Sequence, residues 1–365
     1  MAELQNLPVE LILLIFQHMM PLSPNDLPQD PRELHLWADS VGARFRRCDR
    51  SDVYDLLDSI LTCRLFRDTA TQFLYTKVHI RSANRLVSFL RTVGERRDLA
   101  WWVKSVVIDI EPFSPAFPMG FDRVFTLPRI HSLTIVNLPF PEYLSTIRED
   151  LRPVAQSPLS SLRLVGCSAS SAEVASLLCW PAHLEEFHWD IGIGLALDTS
   201  EAICMGLAPV RESLKSLTLT ASSLPGAQTW FDVYDLGDMS VFTSLTTLRI
   251  LSGDIAKQFL RLRRRRHWRR LPRSLEVIQL GTGPGGRDKE MESTYPIFLR
   301  LLHLGKMNGH LANLRKVYLW SDPAHRYRTP DLFNTKRGVG LDSIDVIFSP
   351  ESWFERNDDN LWFMF

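Results

Sequence analysis

One short pattern recurs through most of this chain: an apolar residue, two others, an apolar residue, one other, an apolar residue. It reads Tyr75-Val78-Ile80, Val103-Val106-Ile108, Ile130-Leu133-Ile135, Leu159-Leu162-Leu164, Leu184-Phe187-Trp189, Leu214-Leu217-Leu219, Leu245-Leu248-Ile250, Leu275-Ile278-Leu280, Leu314-Val317-Leu319 and Leu341-Ile344-Val346. The last two apolar positions of each triplet are two residues apart, so on a strand they share one side and the residue between them faces the other. Stacked in parallel, such strands bury a continuous apolar ladder and display the intervening residues on the opposite face.

The triplets follow one another at a mean spacing of about 30 residues, near the upper end of the leucine-rich-repeat range. Between them, Leu86, Phe89, Leu90 and Val93 fall on one helical face, as do Ile255, Phe259 and Leu262, and Ile297, Leu301 and Leu304. Alternating strands and helices at a repeating period predict an α/β fold. Its expected form is an irregular leucine-rich-repeat-like solenoid with parallel strands inside and helices outside. An ordinary doubly wound domain also alternates strands with helices, but ten near-regular recurrences favour the array. The Asn that closes many such repeats is mostly missing, Asn137 being an exception.

Several functional classes find no support. Lys+Arg and Asp+Glu both number 42, so the chain lacks the basic balance of a nucleic-acid binder. The five cysteines, Cys48, Cys63, Cys167, Cys179 and Cys204, are odd in number and lack zinc-site spacing. Reduced thiols in the cytoplasm or nucleus are expected. Leu11 to Phe16 is far shorter than the roughly 20 apolar residues that span a bilayer, and no secretory pattern precedes it. His183/His188 and His303/His310 do not suit a helical metal face. Gly281-Thr282-Gly283-Pro284-Gly285-Gly286 follows a strand as a dinucleotide loop would, yet Pro284 interrupts it and charged residues follow; it reads as a loop. No catalytic signature, metal site or cofactor is expected.

The N-terminal segment carries two further helical stretches. Asn6-Leu7-Pro8-Val9-Glu10-Leu11-Ile12 opens the first, with Pro8 suited to a first turn and Leu11, Ile12, Ile15, Phe16 and Met19 forming an apolar stripe. The second runs from Asp55 to Arg67 and ends Leu61-Thr62-Cys63-Arg64-Leu65-Phe66-Arg67. Together these runs resemble the two halves of an F-box, and Tyr75-Thr76-Lys77-Val78-His79-Ile80 resembles the lead into the first repeat strand of such proteins. The combination is most similar to the large F-box family of fungi. That resemblance implies docking on a Skp-type adaptor, and through it on a cullin–RING ubiquitin ligase. By motif, Leu7, Pro8, Leu11, Ile12, Ile15, Phe16, Leu61, Cys63 and Phe66 would form or support the adaptor surface. The family joins its first two helices by a few residues, whereas this chain inserts residues 21–50, Pro-rich at first and Arg-rich towards Arg50. Such an insertion is tolerable at a connection but stands where it could obstruct the adaptor. The alternative, on the residues alone, is that both helices simply cap the open end of the array.

The expected organisation is therefore an F-box at 1–75, repeats at 76–350 and an apolar tail at 351–365 that caps the last repeat or folds back on the sheet. The implied function is target recognition for a ubiquitin ligase, with no chemistry of the chain's own; a repeat scaffold without a ubiquitin role is the alternative. The expected target-binding residues on the concave face are Glu186, His188, Asp190, Arg249, Gln279, Lys316, Tyr318 and Trp320. Tyr318 and Trp320 suit either a binding hot spot or packing under the tail. Arg263, Arg264, Arg265, Arg266, Arg269 and Arg270 form the most polarised run. It suits the solvated side of a repeat helix, a nuclear-import signal or a dock for an acidic partner.

Overall fold

A computed structural model describes residues 71–72, 74–109, 121–136, 156–167, 171–191, 202–220, 237–250, 267–281, 289–320 and 344–349. The chain divides into two compact units, one of Met1–Val78 with Val93–Lys104 and one of His79–Thr92 with Ser105–Phe365. In the smaller unit, the Thr76 hydroxyl donates to the Gln72 carbonyl at 2.7 Å, and the Lys104 N–H donates to the Thr76 carbonyl at 3.0 Å.

Ten strands form one sheet whose order follows the sequence: β1 (Lys77–Ile80), β2 (Ser105–Asp109), β3 (Ser132–Val136), β4 (Ser161–Cys167), β5 (Glu186–Ile191), β6 (Ser216–Thr220), β7 (Thr247–Ile250), β8 (Val277–Leu280), β9 (Lys316–Trp320) and β10 (Asp345–Ser349). Every pairing from β2 to β10 is parallel. The register matches the sequence pattern over eight strands: Val106, Leu133, Leu162, Phe187, Leu217, Leu248, Ile278 and Val317 stand side by side. They and the second rung, from Ile108 to Leu319, are buried. The first members of the triplets, from Val103 to Leu314, are buried beside them. Each rung fills the space between its neighbours, so the core is continuous along the sheet.

Among the described residues, the helices between strands are α1 (Ala83–Glu95), α2 (Arg97–Ala100), α3 (Ser171–Leu178), α4 (Ala202–Leu207) and α5 (Lys289–Met307). The described parts of several other connections carry 3-10 turns, at Phe121–Val124, Met239–Val241 and His267–Arg270. The expected face of α1 is present, with Leu86, Leu90 and Val93 buried and Phe89 half-buried. The stretch around Ile255, Phe259 and Leu262 lies outside the described residues, as does Asn137.

Hydrogen bonds at the strand entrances replace the missing Asn ladder. From β3 to β8, one carbonyl ahead of each strand accepts two successive N–H groups from the next repeat. His131 accepts from Ser160 and Ser161, Ser160 from Glu185 and Glu186, Glu185 from Lys215 and Ser216, and Lys215 from Thr246 and Thr247. Thr246 and Glu276 continue the series. Side chains reinforce it: the hydroxyls of Ser213, Ser244 and Ser274 donate to the carbonyls of Leu184, Glu212 and Leu245, and the Asn313 amide to Arg273. These bonds satisfy backbone groups that a buried turn would otherwise orphan.

Two expectations need correction, and one strand holds an irregularity. The tenth triplet is displaced: Val346 pairs with Val317 and Phe348 with Leu319, so Ile344 precedes the strand rather than occupying its first rung. Ile344 is buried all the same, because a slip of two residues keeps each side chain on its face. The face of α5 is rotated by about one residue. Phe298, Leu299 and Leu302 are buried while Leu304 is 47% exposed. The cause is a close approach at Gly305, where a Cβ would stand 2.9 Å from Leu311 Cδ1 and 3.3 Å from Trp268 Cβ. A larger residue there would force the Leu311 side chain to shift, so the glycine side of the helix suits this close approach. Finally, β4 is not regular: Leu164 pairs with Trp189 but Cys167 with Ile191, which leaves one extra residue. Gly166 takes φ 59°, the left-handed region a bulge of this kind requires.

Candidate functional site

The alternation that buries the ladder places a second row on the opposite face of the sheet. By register it runs Val107, Thr134, Arg163, His188, Thr218, Arg249, Gln279, Tyr318 and Ile347. Its neighbour at the strand entrances is mostly small and polar: Ser105, Ser132, Ser161, Glu186, Ser216 and Thr247, then Val277, Lys316 and Asp345. Adjacent strands lie about 4.8 Å apart, so both rows are close to evenly spaced.

The chemistry concentrates around β5. His188 Nε2 lies 3.0 Å from Thr220 Oγ1 on β6. Burial holds the imidazole basicity down, the Arg163 charge adds to this, Asp190 opposes it and Arg249 lowers it further, leaving a pKa of about 4. His188 is therefore neutral at physiological pH and acts as a hydrogen-bonding group, not a cation. Asp190 accepts a 2.9 Å hydrogen bond from the Gly166 N–H, so the β4 bulge aims a backbone donor at the carboxylate. On the other side of His188, Glu186 accepts from the Ser161 hydroxyl at 3.2 Å. Arg163 is half-buried and makes no ion pair or hydrogen bond with any described residue.

Of the residues expected to bind a target, Glu186, Arg249 and Lys316 are exposed, and His188 and Tyr318 are half-buried. Asp190 and Gln279 are only 4% and 3% exposed, so they shape the face from within more than they offer surface. Trp320 ends β9, with its side chain outside the described residues. His188, Asp190 and Arg249 are brought together; Lys316 stands in the entrance row, two residues before the position in register with Arg249, with β8 between them. Arg163 was missed by the sequence reading. The alternation rule identifies it, since it sits between the ladder residues Leu162 and Leu164.

Arg269 and Arg270 are exposed on a 3-10 turn, and Arg269 Cζ stands 5.3 Å from the Trp268 ring centroid. Arg263, Arg264, Arg265 and Arg266 lie outside the described residues. So do all the residues of the F-box resemblance: Leu7, Pro8, Leu11, Ile12, Ile15, Phe16, Leu61, Cys63 and Phe66. Among the described residues no group of three or more His, Cys, Asp or Glu could hold a metal, and no helix is long and apolar enough to cross a membrane.

The pKa of His188 links this face to folding. The unfolded imidazole titrates at its ordinary 6.5 and the folded one at about 4, so between these values the unfolded chain binds the extra proton. Stability is therefore fully present above pH 6.5 and declines as pH falls towards 4, by on the order of 2 kcal/mol. Urea titrations across that window should show the decline, and His188→Gln, which does not titrate, should flatten it.

Compared with known proteins, the chain matches no protein-family model, and no curated protein matches it significantly.

Proposed function

We propose that this chain is a substrate receptor of an SCF-type cullin–RING ubiquitin ligase. In this reading residues 1–75 form an F-box that recruits a Skp-type adaptor, and the sheet is the inner wall of a leucine-rich-repeat-like solenoid that holds a target protein. The observation that carries it is the row of polar and charged side chains set at even spacing on one face of a ten-stranded parallel sheet. Such a row suits recognition of an extended surface better than the enclosure of a small substrate. The F-box-like run at Leu7–Ile12 and Leu61–Arg67 supplies the link to the ligase. The receptor raises the effective concentration of the target at the ubiquitin-charged enzyme and makes or breaks no bond itself.

Co-purification with a fungal Skp-type adaptor tests the proposal. A stoichiometric complex is expected, lost in the double variant Leu11→Asp, Ile15→Asp while circular dichroism of the repeats is unchanged. A folded chain that forms no complex would overturn it and leave the N-terminal helices as a cap on a protein-binding scaffold.

A further inference from the structure

We infer that the middle of the sheet face holds an oxyanion carried by the partner, gripped by the Arg163 guanidinium beside His188 and Thr220. This deepens the receptor reading and rests on it for the identity of the partner, though the binding itself does not depend on the adaptor.

A guanidinium on a packed sheet face keeps its charge at every accessible pH and has lost part of its hydration. Charges in that position are normally paired. Arg163 is half-buried, yet no described carboxylate or carbonyl accepts from it. Its register neighbour is His188, and two strands beyond, across Thr218, comes Arg249. The charges that act on His188 are thus two guanidinium groups, Arg163 and Arg249, against the single carboxylate of Asp190. That carboxylate is engaged by the Gly166 N–H, and Glu186, at the strand entrance, accepts from Ser161. Of these four charged groups, Arg163 alone makes no hydrogen bond or ion pair with a described residue.

The donors suit an oxygen anion. The guanidinium fork matches two oxygens of one carboxylate or phosphoryl group. His188 Nε2 and Thr220 Oγ1 are 3.0 Å apart, and in the tautomer whose Nε2–H donates to Thr220 the hydroxyl keeps its own proton to give to an anion. A neutral imidazole accommodates the anion without competing with the guanidinium for it. The frame is rigid, because these side chains stand on paired strands rather than on loops.

The test uses the full chain without adaptor, so that its failure is separate from failure of the ligase reading. The His188 imidazole resonances are followed by NMR at neutral pH during titration with inorganic phosphate, with acetate, and with chloride at matched ionic strength. Saturable shifts are expected with phosphate or acetate and not with chloride. Tighter binding of phosphate assigns a phosphoryl group; equal or tighter binding of acetate assigns an Asp or Glu carboxylate. Arg163→Gln should weaken binding at least about tenfold, with Arg163→Lys intermediate because it keeps the charge and loses the fork. Arg211→Gln, an exposed cation off the row, should leave it within about twofold. Shifts common to all three salts, the absence of any shift, or equal loss in the Arg163 and Arg211 variants would overturn the proposal.

Discussion

Trp189→Ala is expected to destabilise the sheet unit by about 3–5 kcal/mol, whereas Trp189→Phe costs less than about 1.5 kcal/mol. Trp189 is the second rung of β5 and is fully buried between Leu164 and Leu219. Its ring lies 6.4 Å from that of Phe187, at an interplanar angle of 37°. Truncation to Ala leaves a cavity in the middle of the ladder, where neither neighbouring strand can collapse without breaking its own register. Phe behaves differently because of the indole nitrogen. Nε1 is buried and has no hydrogen-bond partner. An unmade bond of that kind costs about 1–3 kcal/mol, which Phe recovers while losing part of the ring volume. Urea unfolding of the two variants measures both terms. Equal losses would mean that the nitrogen finds a partner in solution.

The second large loss should follow Phe125→Ala, again about 3–5 kcal/mol. Phe125 is the centre of a three-ring chain. It meets Phe121 edge-on at 5.7 Å between centroids and Trp180 at 5.5 Å. Phe121 and Phe125 come from the connection between β2 and β3, and Trp180 from that between β4 and β5. The contact therefore ties together segments that are not consecutive in the array. Trp180 is itself fixed, since its carbonyl accepts from both Gln156 and Ser157 at 3.1 and 3.0 Å. Repeat stability is ordinarily a sum of local terms and nearest-neighbour terms. Removing a longer-range tie should lower stability and also broaden the transition. Phe125→Leu, which keeps most of the apolar volume and loses the ring geometry, separates the two effects. A denaturation curve that shifts for both variants without broadening would argue against the tie.

The sheet was legible because its signal has period two and is repeated. From Val106 to Val317 a single rule predicts every ladder pairing, and the register agrees at each. Where the rule fails, the reasons are local. At β10 several apolar residues alternate, so Ile344-Val346 and Val346-Phe348 read equally well. In α5 apolar residues surround the helix, and the phase depends on how closely Gly305 approaches Leu311, which periodicity does not carry. The β4 bulge had one visible sign, a glycine within a strand run, and Gly166 is that residue. The face was less legible than the core. Alternation identifies which residues point outward but not how deep each sits. Asp190 and Gln279 therefore entered the candidate set beside Glu186 and Lys316, although their exposures differ.

The paired N–H groups that close on one carbonyl at the entrances of β4 to β9 bear on how such a chain changes over time. They pin the start of each strand from β4 to β9 to its predecessor, whatever the length of the segment in between. The connection from β4 to β5 is short and helical, that from β8 to β9 is long, and both deliver their strands in step. Insertions and deletions between strands can thus accumulate without displacing a single outward residue. Each position in the Arg163, His188, Thr218 and Arg249 row can be exchanged on its own, like type in a fixed forme. A lineage can revise what it recognises one letter at a time while the frame that holds the letters stays as it is.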